Sequence, residues 1–162
     1  MTLINYENQE TLVNSLQKKN YIISACESCT GGMFISSIID VSGSSNVVNE
    51  SYVTYSNEAK SRILGVSSKT LETHGAVSFE TAFEMAEGLY KKIDTNIAVS
   101  ITGIAGPNGG TTQKPVGLVY YGICINGLTK VFKIHNSGSR SEVREKTVNA
   151  VINHVLNLLK EE

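Results

Sequence analysis

The sequence predicts an α/β fold: a single three-layer α/β/α domain over residues 1–162, built around a mixed β-sheet. Helical and extended patterns alternate along the chain, and no linker is long enough to divide it. The dipeptide Asn126-Gly127 between two apolar runs is typical of a β-hairpin, which adds an antiparallel pair to the sheet. In sheets of this class ligands bind beyond the carboxyl ends of the strands. Polar and glycine-containing segments that follow strands are therefore the candidates for function.

The first part of the chain predicts three helices and two strands. The strands are short runs of apolar or β-branched residues, and the helices carry apolar side chains on one face or begin at small polar residues. In chain order these elements are a helix at 8–18, a strand at 21–25, a helix from 30–32 to about 39, a strand at 51–55 and a helix at 58–64.

The second part predicts two long helices and three strands. Ser78 is a helix N-cap, and Ser139-Arg140-Ser141-Glu142 has the pattern of a capping box. The last helix is apolar around most of its circumference, so we expect it to be deeply packed or to form a subunit interface. The elements are a helix at 79–93, strands at 97–101, 116–125 and 128–134, and a helix from 139 to about 160.

Charge and hydropathy favour a soluble protein. Fourteen Lys and Arg residues against fifteen Asp and Glu give a net charge of −1, which favours neither nucleic acid nor an anionic membrane as a partner. No apolar run approaches the roughly 18 residues that a membrane span requires. Asn5, Glu7 and Glu10 argue against a signal peptide. We therefore expect a cytoplasmic protein.

The cysteines and histidines do not predict a metal site. Cys26 and Cys29 form a C-x-x-C pattern with no second pair, so we interpret both, with Cys124, as buried thiols. No histidine has a partner at ligand spacing; His154 lies on an apolar helix face, and His74 stands at a predicted helix end. A Ser-His-Asp triad or a zinc hydrolase would have to be assembled from unrelated segments.

Two glycine-containing segments follow predicted strands. Residues 27–32 join a strand to a helix start through small residues, which suits a phosphate or an oxyanion but equally a tight turn capped by Thr30. Residues 103–110 contain four glycines in eight positions. They match neither the P-loop nor the dinucleotide-binding pattern, so a nucleoside triphosphatase or a dinucleotide fold is not favoured.

The third such segment, residues 55–60, carries the most specific chemistry. Tyr55 ends a strand, and Lys60 lies in the first turns of the next helix. A partly desolvated lysine near a helix start is shifted toward its neutral form, which can take a proton from a serine. Ser45 lies in the turn before the same strand and is a candidate for that serine. The alternative is that Lys60 is a solvated surface lysine.

Several of these segments carry a family resemblance. The matching stretches lie in order and together extend over about residues 8–160; they are 25–32, 43–45, 52–60, 74–78, 100–110 and 114–117. Because these stretches match in order, the chain resembles the CinA C-terminal-domain family, whose enzymes are nicotinamide-nucleotide amidohydrolases.

The resemblance implies hydrolysis of the carboxamide of nicotinamide mononucleotide to nicotinate mononucleotide and ammonia, without a metal or another cofactor, by a protein that tends to form homo-oligomers. By analogy Ser45 is the nucleophile, Lys60 its general base, and Tyr55 a proton relay or electrostatic support. Ser28 is a rival nucleophile, because it also lies at a strand end beside a helix start. The substrate-binding residues implied are Ser28, Thr30, Gly31, Gly32, Thr102, Gly103 and Arg140.

Two other functions remain open from the sequence. A non-catalytic module that senses a nucleotide or binds a partner would use the same pockets without turnover. A phosphate-ester hydrolase using the glycine segments is less favoured, because no metal-binding cluster of carboxylates accompanies them.

Overall fold

A computed structural model describes residues 3–162 of the chain. Its helices are α1 (Tyr6–Lys19), α2 (Met33–Ile39), α3 (Asn57–Leu64), α4 (Ser68–His74), α5 (Phe79–Lys92) and α6 (Arg140–Lys160). Its strands are β1 (Ile23–Glu27), β2 (Tyr52–Val53), β3 (Ile97–Gly103), β4 (Leu118–Ile125) and β5 (Leu128–His135), and a 3₁₀ turn covers Ser44–Asn46.

The five strands form one mixed sheet in the order β2-β1-β3-β4-β5. The pairs β1–β2 and β1–β3 are parallel, and β3–β4 and β4–β5 are antiparallel. Asn126 and Gly127 form the turn of the β4–β5 hairpin, as their sequence predicts. The carboxyl ends of β1, β2 and β3 therefore lie at one edge of the sheet, which is the edge at which β4 begins.

Helices cover both faces of the sheet, which confirms the predicted three-layer α/β/α architecture. Side chains of β1 alternate between the faces, so Ala25 belongs to one apolar core and Cys26 to the other. The larger core packs α1, α2 and α6 on the sheet, and the smaller core packs α3, α4 and α5 on the opposite face.

The last helix is packed deeply, as its apolar composition predicts. Ser139 accepts from the Glu142 N–H, and the Glu142 carboxylate accepts from the Ser139 N–H, so the predicted capping box is present. Eight side chains of α6 are buried: Val143, Thr147, Val148, Val151, Ile152, Val155, Leu156 and Leu159. Within residues 3–162 no helix has the length and apolar character needed to cross a membrane.

Two elements differ from the prediction. Helix α4 is absent from the predicted set because none of its residues is fully buried, and its contact with the smaller core rests on Leu71, which is too little to give a helical pattern. Its end at His74 does match the expected helix end. Strand β2 is the outermost strand of the sheet. It has two residues instead of the five predicted, since only Tyr52 and Val53 pair with β1.

Candidate active site

A cleft of about 280 Å³ opens at the edge of the sheet where the parallel strands end. Its walls come from segments that are distant in sequence: the end of β1, the β2–α3 loop, the segment before α5, the glycine segment after β3, and the start of α6. Among the residues that line it are Ser28, Tyr55, Lys60, Val77, Thr102 and Arg140. The position is the one expected for ligands in a sheet of this class.

Lys60 lies buried at the base of this cleft, with a side chain that is 1% exposed. Helix α3 begins after Ser56, whose hydroxyl accepts from the Ala59 N–H, and this start places Lys60 on the inner face of the helix. Nζ of Lys60 lies 3.3 Å from Oγ of Ser28, and it donates to the carbonyls of Thr54 at 3.1 Å and Tyr55 at 3.0 Å.

Burial lowers the pKa of Lys60 from its ordinary value of 10.5, against a smaller opposing effect of the thiols of Cys29 and Cys26. In the part of the chain that the structure describes, no carboxylate forms an ion pair with this amine. A neutral amine carries two N–H donors and one lone pair. In the structure Nζ also donates to Ser28 Oγ, and the Ser28 hydroxyl donates to the Tyr55 carbonyl at 3.4 Å. In the neutral amine the carbonyls of Thr54 and Tyr55 can take the two donors, which leaves the lone pair for the Ser28 hydroxyl. The surroundings of Lys60 thus suit a proton acceptor for a serine.

Ser28 follows β1 directly, and its N–H donates to the Ile101 carbonyl at 2.9 Å, which fixes it beside β3. The carbonyl of Ser28 accepts from the Gly31 N–H at 3.0 Å, so residues 28–31 form a turn. Gly31 adopts a φ of +58°, a left-handed conformation that favours glycine. Ser28 as a whole is 9% exposed, and it lines the cleft.

The carboxylate of Glu27 occupies the start of α2. It is buried and accepts from the Thr30 hydroxyl at 2.5 Å and from the N–H groups of Gly32, Phe34 and Ile35 at 3.0–3.1 Å. A carboxylate at this position satisfies the free N–H groups of the first helical turn. Thr30 and Gly32 were expected to bind substrate; in the structure the Thr30 hydroxyl and the Gly32 N–H donate to Glu27, and Thr30 is fully buried.

Arg144 contacts the same turn from α6. Its Nε donates to the Cys29 carbonyl at 3.1 Å and its Nη2 to the Thr30 carbonyl at 3.0 Å. Sequence reasoning missed both Glu27 and Arg144. The one available signal was the spacing of Arg144, which lies four residues after Arg140 and so on the same face of α6.

Arg140 and the phenol of Tyr55 form the outer wall of the cleft. Nη1 of Arg140 donates to the Gly106 carbonyl at 2.7 Å, and Nη2 donates to the Tyr55 hydroxyl at 3.2 Å. Tyr55 is 60% exposed, and its phenol contacts Arg140, whereas its carbonyl contacts Lys60. The side chain of Tyr55 is thus directed toward the mouth of the cleft.

Thr102 and Gly103 shape the wall at the end of β3. The Thr102 hydroxyl donates to the Ala76 carbonyl at 2.8 Å and fixes the segment before α5. Gly103 packs closely on β4, because a Cβ there would lie 2.6 Å from Cγ2 of Val119. Lys114 also donates to the His74 carbonyl, so two bonds link the glycine segment and its flanks to residues 74–76.

Ser45 lies away from this cleft. It belongs to the exposed 3₁₀ turn, and the Ile23 N–H at the amino end of β1 donates to the carbonyl of Val47, two residues later. Ser28 lies at the opposite, carboxyl end of the same strand. The structure therefore does not bring Ser45 together with Lys60, and the serine beside Lys60 is Ser28.

The cysteines are buried thiols, as the sequence predicts, and His154 is half-buried on the inner side of α6. All three thiols are free and buried, and burial raises the pKa of Cys29 to about 12. His154 packs against Phe132, and its Nδ1 is hydrogen-bonded to the Tyr121 hydroxyl. Within residues 3–162 no group of three His, Cys, Asp or Glu side chains is arranged to hold a metal ion.

A larger groove of about 770 Å³ lies on the outer surface of α3 and α4. It is lined mainly by exposed polar side chains, such as Glu58, Arg62 and Glu72. Neither Ser28 nor Lys60 borders it, so the smaller cleft holds the chemically distinctive groups.

Comparisons with known proteins agree in fold and family. The family model described as CinA C-terminal domain matches residues 5–159. A "putative competence-damage inducible protein" of Clostridium acetobutylicum is 52% identical over 147 residues, which are 91% of this chain and 36% of the relative. A "CinA-like protein" of Kosmotoga olearia is 52% identical over 138 residues, 85% of this chain and 34% of the relative. The chain thus spans about a third of the length of these relatives.

Solved structures show the same fold over nearly the whole chain. The competence/damage inducible protein CihA from Agrobacterium tumefaciens superposes with a TM-score of 0.91 at 38% identity, covering 98% of this chain and 99% of that one. A competence or damage-inducible protein from Enterobacter asburiae gives a TM-score of 0.92 at 32% identity, with 95% and 97% covered. With the family model matching nearly every residue, this chain belongs to the CinA C-terminal domain family.

Proposed function

We propose that this protein is an amidohydrolase that converts nicotinamide mononucleotide to nicotinate mononucleotide and ammonia, with Ser28 as nucleophile and Lys60 as general base. The observation that carries the proposal is the buried amine of Lys60, which has no carboxylate partner in residues 3–162 and lies 3.3 Å from Ser28 Oγ. A neutral lysine beside a serine hydroxyl is the arrangement of serine–lysine hydrolases.

Acylation begins when Ser28 Oγ attacks the carboxamide carbon and its proton passes to Nζ of Lys60. The tetrahedral oxyanion collapses as the Lys60 ammonium gives that proton to the departing nitrogen. The products of this half-reaction are ammonia and an ester on Ser28. Water then attacks the ester, Lys60 accepts a proton from it, and the proton returns to Ser28 Oγ as the acid leaves.

The oxyanion requires N–H donors beside the nucleophile. Within residues 3–162 the N–H groups of Cys29 and Thr30 have no hydrogen-bond acceptor, and Cys29 lines the cleft. The N–H of the residue after the nucleophile is an oxyanion donor in other serine hydrolases. Cys29 therefore supplies the first donor in the proposed mechanism.

The rest of the nucleotide lies toward the mouth of the cleft in this proposal. The guanidinium of Arg140, held by Gly106 and Tyr55, is a charged donor for the phosphate. The exposed ring of Tyr55 offers a surface for the pyridine ring. Tyr55 acts on the substrate side, because its phenol contacts Arg140 and not Lys60 or Ser28.

The test is an assay of ammonia and nicotinate mononucleotide from nicotinamide mononucleotide in the presence of EDTA. We expect Ser28→Ala to lower kcat by about 10³-fold or more, and the matched control Ser45→Ala to stay within about twofold of the wild-type rate. Wild-type turnover by Ser28→Ala would overturn the nucleophile assignment. Tight binding of the nucleotide with no product, measured by calorimetry, would instead support the non-catalytic module.

A further inference from the structure

We propose that Arg144 is a positioning residue that holds the turn carrying the oxyanion-binding N–H of Cys29 without touching the substrate. This inference rests on the proposed function, because it assigns a role within the same serine–lysine site. The evidence is the set of hydrogen bonds that hold the turn from Ser28 to Gly31 from two sides.

The guanidinium of Arg144 is committed to two backbone carbonyls. Nε and Nη2 donate to the carbonyls of Cys29 and Thr30 at 3.1 and 3.0 Å, and the planar fork of an arginine suits two adjacent acceptors. In the described part of the chain no carboxylate pairs with Arg144. The side chain is half-buried, and it is not among the residues that line the cleft.

These bonds fix both peptide planes that flank Cys29. A trans peptide holds its C=O and N–H in opposite directions. The Ser28 carbonyl accepts from the Gly31 N–H, so the Cys29 N–H on the same peptide points away from Gly31. The Cys29 carbonyl points to Arg144, which fixes the rotation of the second plane. Within residues 3–162 the N–H of Cys29 has no acceptor, and Cys29 lines the cleft.

Glu27 holds the other side of the turn, but it does not restrain the peptide between Cys29 and Thr30. Its carboxylate holds the Thr30 hydroxyl and the N–H of Gly32, both beyond Cys29. Without Arg144, the peptide between Cys29 and Thr30 can rotate about its flanking bonds. That rotation turns the Cys29 carbonyl and the Thr30 N–H, and it loosens the turn that holds the Cys29 N–H in place. We therefore expect the loss of Arg144 to affect stabilisation of the transition state more than binding of the ground state.

The experiment compares Arg144→Met and Arg144→Lys with the matched control Arg62→Met, an exposed arginine on α3. For nicotinamide mononucleotide we expect Arg144→Met to lower kcat about 10²-fold with KM within about threefold of wild type. Arg144→Lys should recover part of that loss, since an ammonium can reach one carbonyl but does not match two as a fork. Arg62→Met should behave as wild type.

A second readout separates this inference from the choice of substrate. A fluorophosphonate probe labels an activated serine, and its labelling of Ser28 is followed by mass spectrometry with Ser28→Ala as the blank. We expect Arg144→Met to slow labelling by a factor similar to its loss of kcat, and Arg144→Lys to restore part of the rate. Thermal unfolding of each variant verifies that it is folded.

The outcomes distinguish the two proposals. If wild type is labelled at Ser28 but releases no ammonia from the nucleotide, the proposed substrate is overturned, and the labelling rates of the Arg144 variants decide this inference. If both Arg144 variants keep the wild-type rates, or if only KM rises, the positioning role is overturned. Absence of labelling in wild type overturns the assignment of Ser28 and this role together.

Discussion

The ε-amine of Lys60 and the hydroxyl of Ser28 lie 3.3 Å apart, although 32 positions of sequence separate them. Strand pairing explains the contact. Glu27 at the end of β1 pairs with Val53 at the end of β2, so the residues that follow the two strands meet at one edge of the sheet. Helix α3 begins directly after this point and places Lys60 in its first turns, with the side chain directed toward the ends of these strands.

Hydrolysis should depend on the neutral form of Lys60. Because burial lowers the pKa of Lys60, we expect kcat/KM to fall as pH decreases through that value, along a limb of unit slope with its midpoint below 10.5. Lys60→Met should lose about 10³-fold or more in kcat above that midpoint, and the difference from wild type should narrow below it. A pH–rate profile of both proteins measures this. A wild-type rate that keeps rising above pH 10.5 would show that Lys60 is charged in the working range.

The same group should make stability rise with pH. The folded chain holds Lys60 with a pKa below the 10.5 of the unfolded chain, so between the two values the unfolded state binds more protons. The free energy of unfolding of wild type, relative to Lys60→Met, should therefore increase with pH in that window. Urea unfolding between about pH 7 and 10 measures the difference. Exposed Lys69→Met is the control, and it should run parallel to wild type.

Arg140 should discriminate for the phosphate. We expect Arg140→Gln to raise KM for nicotinamide mononucleotide about tenfold or more, because a charge-assisted bond contributes about 1.5–3 kcal/mol. The rate with nicotinamide riboside, which lacks the phosphate, should change little. Steady-state kinetics with both compounds test this, with Arg62→Gln as the control. An equal effect on the two compounds would assign Arg140 to another part of the ligand.

Glu27 should matter first for folding. Its buried carboxylate accepts from the Thr30 hydroxyl and from three N–H groups at the start of α2. We expect Glu27→Gln to destabilise the protein by about 3 kcal/mol, because an amide removes the charge and directs its own donors at those groups. Urea unfolding compares it with Glu10→Gln on the exposed face of α1, which should stay within about 0.5 kcal/mol of wild type.

Tyr121 should stabilise the larger core through its hydroxyl as well as its ring. The hydroxyl is hydrogen-bonded to Nδ1 of His154, and burial raises the pKa of Tyr121. Tyr121→Phe leaves that nitrogen unpaired and should cost about 1–3 kcal/mol. The neighbouring Tyr120→Phe should cost less than about 0.5 kcal/mol. Equal stability of the two variants in thermal or urea unfolding would contradict the role of the hydroxyl.

The sequence predicted those elements that bury an apolar face. Helix α5 and strand β3 lie close to their predicted positions because alternation and helical periodicity record burial directly. Helix α4 fully buries no residue, so its sequence shows no helical periodicity of apolar residues. Strand β2 is short because it lies at an edge, and local composition does not state how far a strand pairs.

The site was predictable only in part. The position of Lys60 at a helix start indicated a shifted pKa, but the choice between Ser28 and Ser45 depends on which end of β1 each serine reaches. Ser45 is nearer to Lys60 in sequence and yet lies by the amino end of that strand. The contacts of Glu27 and Arg144 are set by the turn between β1 and α2, and composition does not reveal which carbonyls a guanidinium will meet.

The hairpin turn at Asn126-Gly127 lies at the edge of the sheet opposite the cleft. Ile125 pairs with Ile97 at the start of β3, whereas Val119 pairs with Gly103 at its end, a separation of about 20 Å at the usual rise of a strand. A fluorescent reporter or an immobilisation tag inserted at this turn would thus stay clear of the catalytic groups, which makes the turn a practical handle for single-molecule or surface-based assays.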